Sequence, residues 1–266
     1  MRIAVLVKQV PDTRSVQMDE ETGTVIRKGS EAILNPLDAY ALQAALQLRQ
    51  LRGGALVHAF SMGPPSAEQT LKEVLALGAD RASLISDRAC AGSDTWATAQ
   101  VLAAALQKLG PFDLVVCGER ATDGDTGQVG PEIAACLNLG MATFVEQILD
   151  LQEDWLDLRR KTESGFESWR LRLPGLLTVT KAIGEIALPT LANKMAARRA
   201  QVPLLKADEL GLDPESIGLK GSPTRVVKIF YPSLTRKGEL YKISDEASLL
   251  ANSRILAKYL REAANK

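Results

Sequence analysis

The sequence predicts an α/β protein built on a doubly wound parallel sheet, with added antiparallel strands and an extended C-terminal arm. Three observations lead there. Short apolar runs alternate with helical segments up to residue 137. Most of those helices run into glycine, the usual stop signal. After about residue 140 the alternation gives way to strands separated by hairpin turns.

Residues 2–7 are almost uninterruptedly apolar and rich in β-formers, as a strand covered on both faces must be. A polar stretch with Glu21-Thr22-Gly23-Thr24 as a turn predicts a small hairpin excursion. Asn35-Pro36 then opens a helix, with asparagine at the cap and proline at the first helical position. Ala39, Leu42, Ala45, Leu46 and Leu48 give it an apolar face, and Gly53-Gly54 ends it. Strands at 55–61, 82–86 and 114–117 follow, each leading through a loop into a helix. The helices run to Leu77-Gly78, Leu109-Gly110 and Leu137. Further strands are expected at 142–149, 155–160, 166–173 and 176–180. Residues 181–202 show no clear period. Residues 203–243 contain Pro203, Pro214, Pro223 and Pro232 and predict an extended arm, because proline removes donors and favours open backbone. Its apolar residues Ile217, Leu219, Val226, Ile229 and Phe230 need burial, so the arm is expected to wrap a partner chain. Residues 244–262 read as a closing helix.

Lys+Arg and Asp+Glu balance at 32 each, so net charge points to neither nucleic acid nor an acidic membrane. The three cysteines have no CxxC spacing, which speaks for a reducing compartment and a cytoplasmic protein. No apolar run is long enough to span a bilayer. His58 is the only histidine and lies mid-strand, where a packed core side chain is expected. A histidine-based metal site or a Ser-His-Asp triad therefore finds no support, and no catalytic residue or metal site is expected.

In an open parallel sheet, ligands bind beyond the carboxyl ends of the strands, where strand order reverses. The most unusual segment at such an end reads Gly118-Glu119-Arg120-Ala121-Thr122-Asp123-Gly124-Asp125-Thr126-Gly127-Gln128-Val129-Gly130-Pro131. Its glycines permit tight turns and close backbone approach, its Asp, Thr and Gln side chains suit ribose and phosphate, and a helix N-terminus follows. By composition alone it is equally a solvent loop rich in turn formers. It is neither a Walker A loop nor GxGxxG, and it lacks the late Glu of an EF-hand.

An ordered set of motifs resembles the beta subunit of electron-transfer flavoproteins over essentially the whole chain. They are Lys8-Gln9-Val10-Pro11-Asp12-Thr13, Asn35-Pro36-Leu37-Asp38, Met62-Gly63-Pro64-Pro65, Leu77-Gly78-Ala79-Asp80-Arg81, Ala91-Gly92-Ser93-Asp94-Thr95, 123–131 and Leu173-Pro174-Gly175-Leu176-Leu177-Thr178-Val179. The resemblance implies an adenine-nucleotide alpha-hydrolase-like fold: a nucleotide-binding domain over 1–202, with a recognition loop at about 182–202, and a C-terminal arm and helix over 203–266 that wraps the alpha subunit. It implies a nucleotide pocket made by Leu6, Lys8, Asn35, Pro36, Leu37, Asp38, Met62 and the run from Gly118 to Val129. The occupant is FAD, the favoured reading, or AMP, with a further FAD held mainly by the alpha subunit. The wording of 123–131 resembles the nitrogen-fixation-associated and bifurcating branch, which brings in NAD(H). Glu119-Arg120 departs from the family's expected Arg-Gln or Lys-Gln pair. Leu191, with Lys194, Met195 and Arg198, is the expected docking surface for acyl-CoA or other dehydrogenases, the bland reading being a solvated basic turn. The competing function is a universal-stress-type nucleotide-binding regulatory module, against which the sequence after residue 140 argues.

Overall fold

The computed structural model describes residues 1–12, 17–18, 25–26, 32–225 and 238–264. The first strand, β1 (Arg2–Leu6), is buried along both faces, with Ile3 and Val5 on one side and Ala4 and Leu6 on the other. An excursion follows. β2 (Gln9–Pro11) pairs antiparallel with β5 (Ala32–Leu34), and β3 (Gln17–Met18) with β4 (Val25–Ile26). The turn expected at 21–24 lies outside the described residues. Helix α1 (Pro36–Leu51) starts at the proline that the sequence marks, and Ala39, Leu42, Ala45 and Leu48 are buried. β6 (Leu56–Met62), α2 (Ala67–Ala76), β7 (Arg81–Ile85), α3 (Thr95–Leu109), β8 (Leu114–Gly118) and α4 (Val129–Cys136) continue the alternation.

The second half adds β9 (Gly140–Leu151), β10 (Trp155–Thr162), β11 (Gly165–Arg172) and β12 (Gly175–Val179). Among the described residues the main sheet has nine strands in the order β11-β10-β9-β12-β8-β1-β6-β7, closed by a last strand, β13 (Leu204–Leu205). From β9 to β13 neighbouring strands are parallel, while β10 and β11 extend the sheet antiparallel. The chain winds outward from β1 through β6 to β7, then returns to place β8 on the other side of β1. Strand order therefore reverses between β1 and β8.

Two apolar layers cover the sheet. Leu42, Ala45 and Leu48 of α1 and Leu71 and Val74 of α2 pack on the face carrying Ile3, Val5, Val116 and Leu177. Ala99, Leu102 and Leu106 of α3 and Ile133 of α4 pack on the face carrying Ala4, Phe60, Val115 and Leu176. His58 is a core residue, 6% exposed, stacked on Phe60 at 4.3 Å between centroids, with Nε2 2.9 Å from Ser83 Oγ. Burial, then the charges of Arg81 and Arg2, lowers its pKa to about 4.

The compact unit runs from Met1 to Arg225, beyond the boundary at 202 that the sequence suggests. Pro203 and Leu205 accept hydrogen bonds from Leu84 and Ser86 at 2.9 and 3.1 Å, so β13 borders β7. Leu205, Ala207 and Ile217 enter the second core layer. Farther on, the Thr224 amide and hydroxyl both donate to Asp94 Oδ2, at 2.9 and 2.8 Å, while Asp94 Oδ1 caps α3 by accepting from the Ala97 amide. The four-residue helix α6 (Gly218–Gly221) lies in this segment. Val226, Ile229, Phe230 and Pro232 of the expected arm fall outside the described residues. The second unit, Val226–Lys266, is described by its helix α7 (Glu246–Ala264), which has no buried residue and exposes Leu249, Leu250, Leu256, Tyr259 and Leu260. Among the described residues no helix is long and apolar enough to cross a membrane.

Candidate functional site

The carboxyl ends of β1 and β8 and the N-terminal turn of α1 meet at the reversal in strand order. They meet closely: a Cβ on Gly118 would stand 2.6 Å from Asp38 Oδ1 and 2.9 Å from the Leu37 carbonyl carbon, so only glycine fits at the end of β8. Asp38 is 6% exposed. Its Oδ2 accepts from the Lys8 amide at 2.8 Å. Burial raises the Asp38 pKa to about 7, against the opposing pull of hydrogen bonds from the Asn35 side chain and the Lys8 and Gly118 amides and of the Lys8 charge.

Residues 119–128 fold over this junction. The Glu119 amide is still tied to the Val179 carbonyl of β12 at 3.0 Å. The Asp125 amide closes a turn on the Ala121 carbonyl at 2.8 Å, with Asp125 in the left-handed region at φ 55°. Lys8 Nζ reaches across to Asp123, 2.7 Å from Oδ2, and Arg120 Nε lies 3.1 Å from Asp125 Oδ1. Both pairs are largely solvated and hold the loop weakly, so an anionic ligand can exchange for either carboxylate. Gln128 precedes α4 without capping it through its side chain, which leaves the amides of Val129 and Gly130 open to an anion, Pro131 having no N–H and the Glu132 amide donating to the Gln128 carbonyl at 3.0 Å.

The sequence-predicted residues divide into two groups. Asn35 and Asp38 are buried and spend their side chains on the protein. Leu6 belongs to the core layer beneath α3 and α4, and half-buried Met62 and Val129 pack against the same layer. Pro36 is exposed and Leu37 half-buried on the first turn of α1. Lys8, Arg120, Thr122, Asp123, Gly124, Asp125, Thr126 and Gln128 are exposed around the crevice; Glu119, Ala121 and Gly127 are half-buried in the loop. The sequence places Thr95 at the ligand edge of the sheet without assigning it to the pocket, and it does not single out Glu132. Thr95 Oγ lies 3.0 Å from Glu132 Oε1 and 3.4 Å from Gln128 Oε1, which ties the start of α3 to the start of α4. Their signal was position alone, each in the first turn of a helix that begins at the carboxyl edge of the sheet.

Away from the crevice, residues 190–199 form a short helix, α5 (Leu191–Arg199), capped by Thr190 Oγ accepting from the Asn193 amide. Only Ala197 is buried, where α5 meets α2. Leu191 is 75% exposed and Met195 49%, beside exposed Lys194 and Arg198.

Fold and crevice define an open α/β protein whose ligand edge lies at the reversal of a doubly wound sheet. Comparison with known proteins narrows this class. The family described as "Electron transfer flavoprotein domain" matches residues 22–210. The electron transfer flavoprotein subunit beta of Megasphaera elsdenii is 40% identical over 268 residues, covering 98% of this chain and 99% of that protein. The caffeyl-CoA reductase-Etf complex subunit CarD of Acetobacterium woodii is 43% identical over 240 residues, 90% of this chain and 91% of its own. Protein FixA of Azorhizobium caulinodans is 43% identical over 240 residues, 88% and 85% of the two chains. The chain belongs to the electron transfer flavoprotein beta-subunit family, which decides against the universal-stress-type alternative.

Proposed function

We propose that the chain works as the beta subunit of a heterodimeric electron-transfer flavoprotein in the cytoplasm and binds an adenine nucleotide at the β1/β8 crevice, with FAD favoured over AMP. The observation that carries this reading is the convergence there of Lys8, Arg120 and the uncapped start of α4 beneath a loop rich in exposed oxygen ligands. These groups fit a nucleotide's two needs. The cations and helix amides suit phosphate, and Asp123, Asp125, Thr126 and Gln128 suit ribose or ribityl hydroxyls. Gly124 meets nothing within 4 Å of an added Cβ, so backbone there is open to a long ligand. Relatives named CarD and FixA support the branch in which the occupant is FAD. Bound there, FAD would supply a second redox centre able to take an electron pair from a reduced nicotinamide and pass single electrons to a strong and a weak acceptor.

The partner-facing parts follow from exposure. Leu191 and Met195 offer an apolar anchor, and Lys194 and Arg198 surround it with charge suited to an acidic dehydrogenase surface. The segment beyond Arg225 is the part that wraps the alpha subunit, since α7 buries nothing within its own unit. The test is to purify the heterodimer, release its nucleotides and count them. Two FAD per heterodimer is the expected result; one FAD and one AMP would replace FAD by AMP in the crevice.

A further inference from the structure

We propose that Asn35 is a positioning residue: its side-chain amide locks the entrance of the crevice loop onto the start of α1, and nucleotide affinity depends on that lock and not on contact between Asn35 and the nucleotide. The proposal rests on the nucleotide reading above and assigns one residue of that site a different task.

Asparagine just before a helix ordinarily uses its side chain to cap the first amides. Asn35 stands at that position and makes no side-chain cap. Its amide is instead turned to a segment far along the chain. Nδ2 donates to the Arg120 carbonyl at 3.0 Å, and Oδ1 accepts from the Thr122 amide at 3.2 Å. A donor and an acceptor on alternate backbone units are thus matched as a neighbouring strand would match them. The Asn35 side chain also acts on Asp38, opposing the rise of its pKa. Asn35 is 0% exposed, so its end of these part-buried bonds is shielded from water.

The backbone of Asn35 completes the connection. Its amide donates to the Lys8 carbonyl at 2.8 Å, and its carbonyl accepts from the Asp38 amide at 3.0 Å. One residue therefore joins the end of β1, the start of α1 and the loop that follows β8. Residues 120–122 are tied to the buried Asn35 side chain, whereas 123–128 are held mainly by solvated ion pairs and one turn. The far part of the loop can answer a ligand because the anchored part fixes where it starts.

The titratable and charged groups around Asn35 are Asp38 on α1, Lys8 at the end of β1, Glu119, Arg120 and Asp123 on the loop, and the buried Cys117 of β8. Asn35→Asp is isosteric. Ionised, it faces the Arg120 carbonyl and Asp38 without a donor. Protonated, its hydroxyl can donate and its carbonyl accept, as the amide does. Two adjacent carboxyls hold a shared proton up to higher pH, so this variant should regain function toward mild acidity.

The experiment uses the heterodimer freed of nucleotide, titrated with AMP and with FAD at pH 8 and pH 6, each variant compared with the parent at the same pH. Asn35→Ala should weaken AMP binding about tenfold or more at both pH values. Asn35→Asp should weaken it similarly at pH 8 and recover much of the loss at pH 6. Hydrogen exchange gives a readout independent of ligand: the Thr122 amide should exchange at least about tenfold faster in Asn35→Ala, and in Asn35→Asp at pH 8, while Val115 and Val116 of β8 stay protected. Parent-like affinity in both variants overturns the proposal. So does weakened binding with Thr122 still protected, which would make Asn35 a direct contact. If the parent binds neither AMP nor FAD, the nucleotide reading and this affinity role fall together, and parent-like Thr122 exchange in both variants would remove the lock as well.

Discussion

Asp38 carries a pH dependence with a definite sign. Its folded pKa, about 7, stands above the ordinary 3.8. Between those values the native chain holds a proton that the unfolded chain has released. Stability is therefore highest at the acid end of that window and declines as pH rises through it, by an amount on the order of 4 kcal/mol. Asp38→Asn should flatten the descent of melting temperature between pH 5 and 8 relative to the parent; parallel curves would show that Asp38 ionises normally. Leu191 makes the opposite kind of prediction. At 75% exposure it supports little of the fold, so Leu191→Ala should change stability by less than about 0.5 kcal/mol. It should slow electron transfer to the partner dehydrogenase several-fold with flavin content intact, and an unchanged rate would remove its anchor role.

Elements of this chain are held apart by very little space. A Cβ on Gly130, in the first turn of α4, would lie 2.8 Å from Cys117 Sγ and 2.9 Å from Thr178 Cγ2. Gly130→Ala should push α4 off the sheet, cost about 1–3 kcal/mol in urea unfolding and lower nucleotide occupancy; parent-like unfolding would mean that the helix yields freely. Where an element buries a regular stripe, sequence found it. The apolar run of β1, the Asn35-Pro36 boundary of α1 and the hairpins of β9, β10 and β11 were all legible. Helix α5 was not, because a helix with only Ala197 buried shows no stripe. Strand β13 was not, because two residues carry no period. In the crevice, the loop was legible from its glycines and its place after β8. The task of the Asn35 amide was not, because a side chain facing residues 120 and 122 reads locally as an ordinary helix cap.

At the scale of the whole molecule, the chain divides between a unit that builds its own core and one whose described residues bury no side chain. Met1–Arg225 has two apolar layers on one sheet, whereas the described part of the second unit exposes every turn of its helix. A helix of 19 residues with Leu249, Leu256 and Leu260 along it gains little stability without a surface to cover them. Limited proteolysis should therefore cut the isolated chain after Arg225 and spare the same segment in the heterodimer. Equal resistance in both would mean that the segment needs no partner.

The pairing of β13 with β7 also bears on how the protein survives its own synthesis. Until Pro203 and Leu205 leave the ribosome, the amides of Leu84 and Ser86 present an open strand edge on a largely apolar sheet. Such edges recruit other chains, and a parallel sheet completed by its late-made segments stays adhesive for longer. A chain ending at residue 202 would make that condition permanent and would also lose Leu205, Ala207 and Ile217 from its interior. It should accumulate as inclusion bodies or chaperone-bound material, whereas a chain ending at Arg225 should remain dispersed. The useful place to cut this protein is thus set by a strand of two residues.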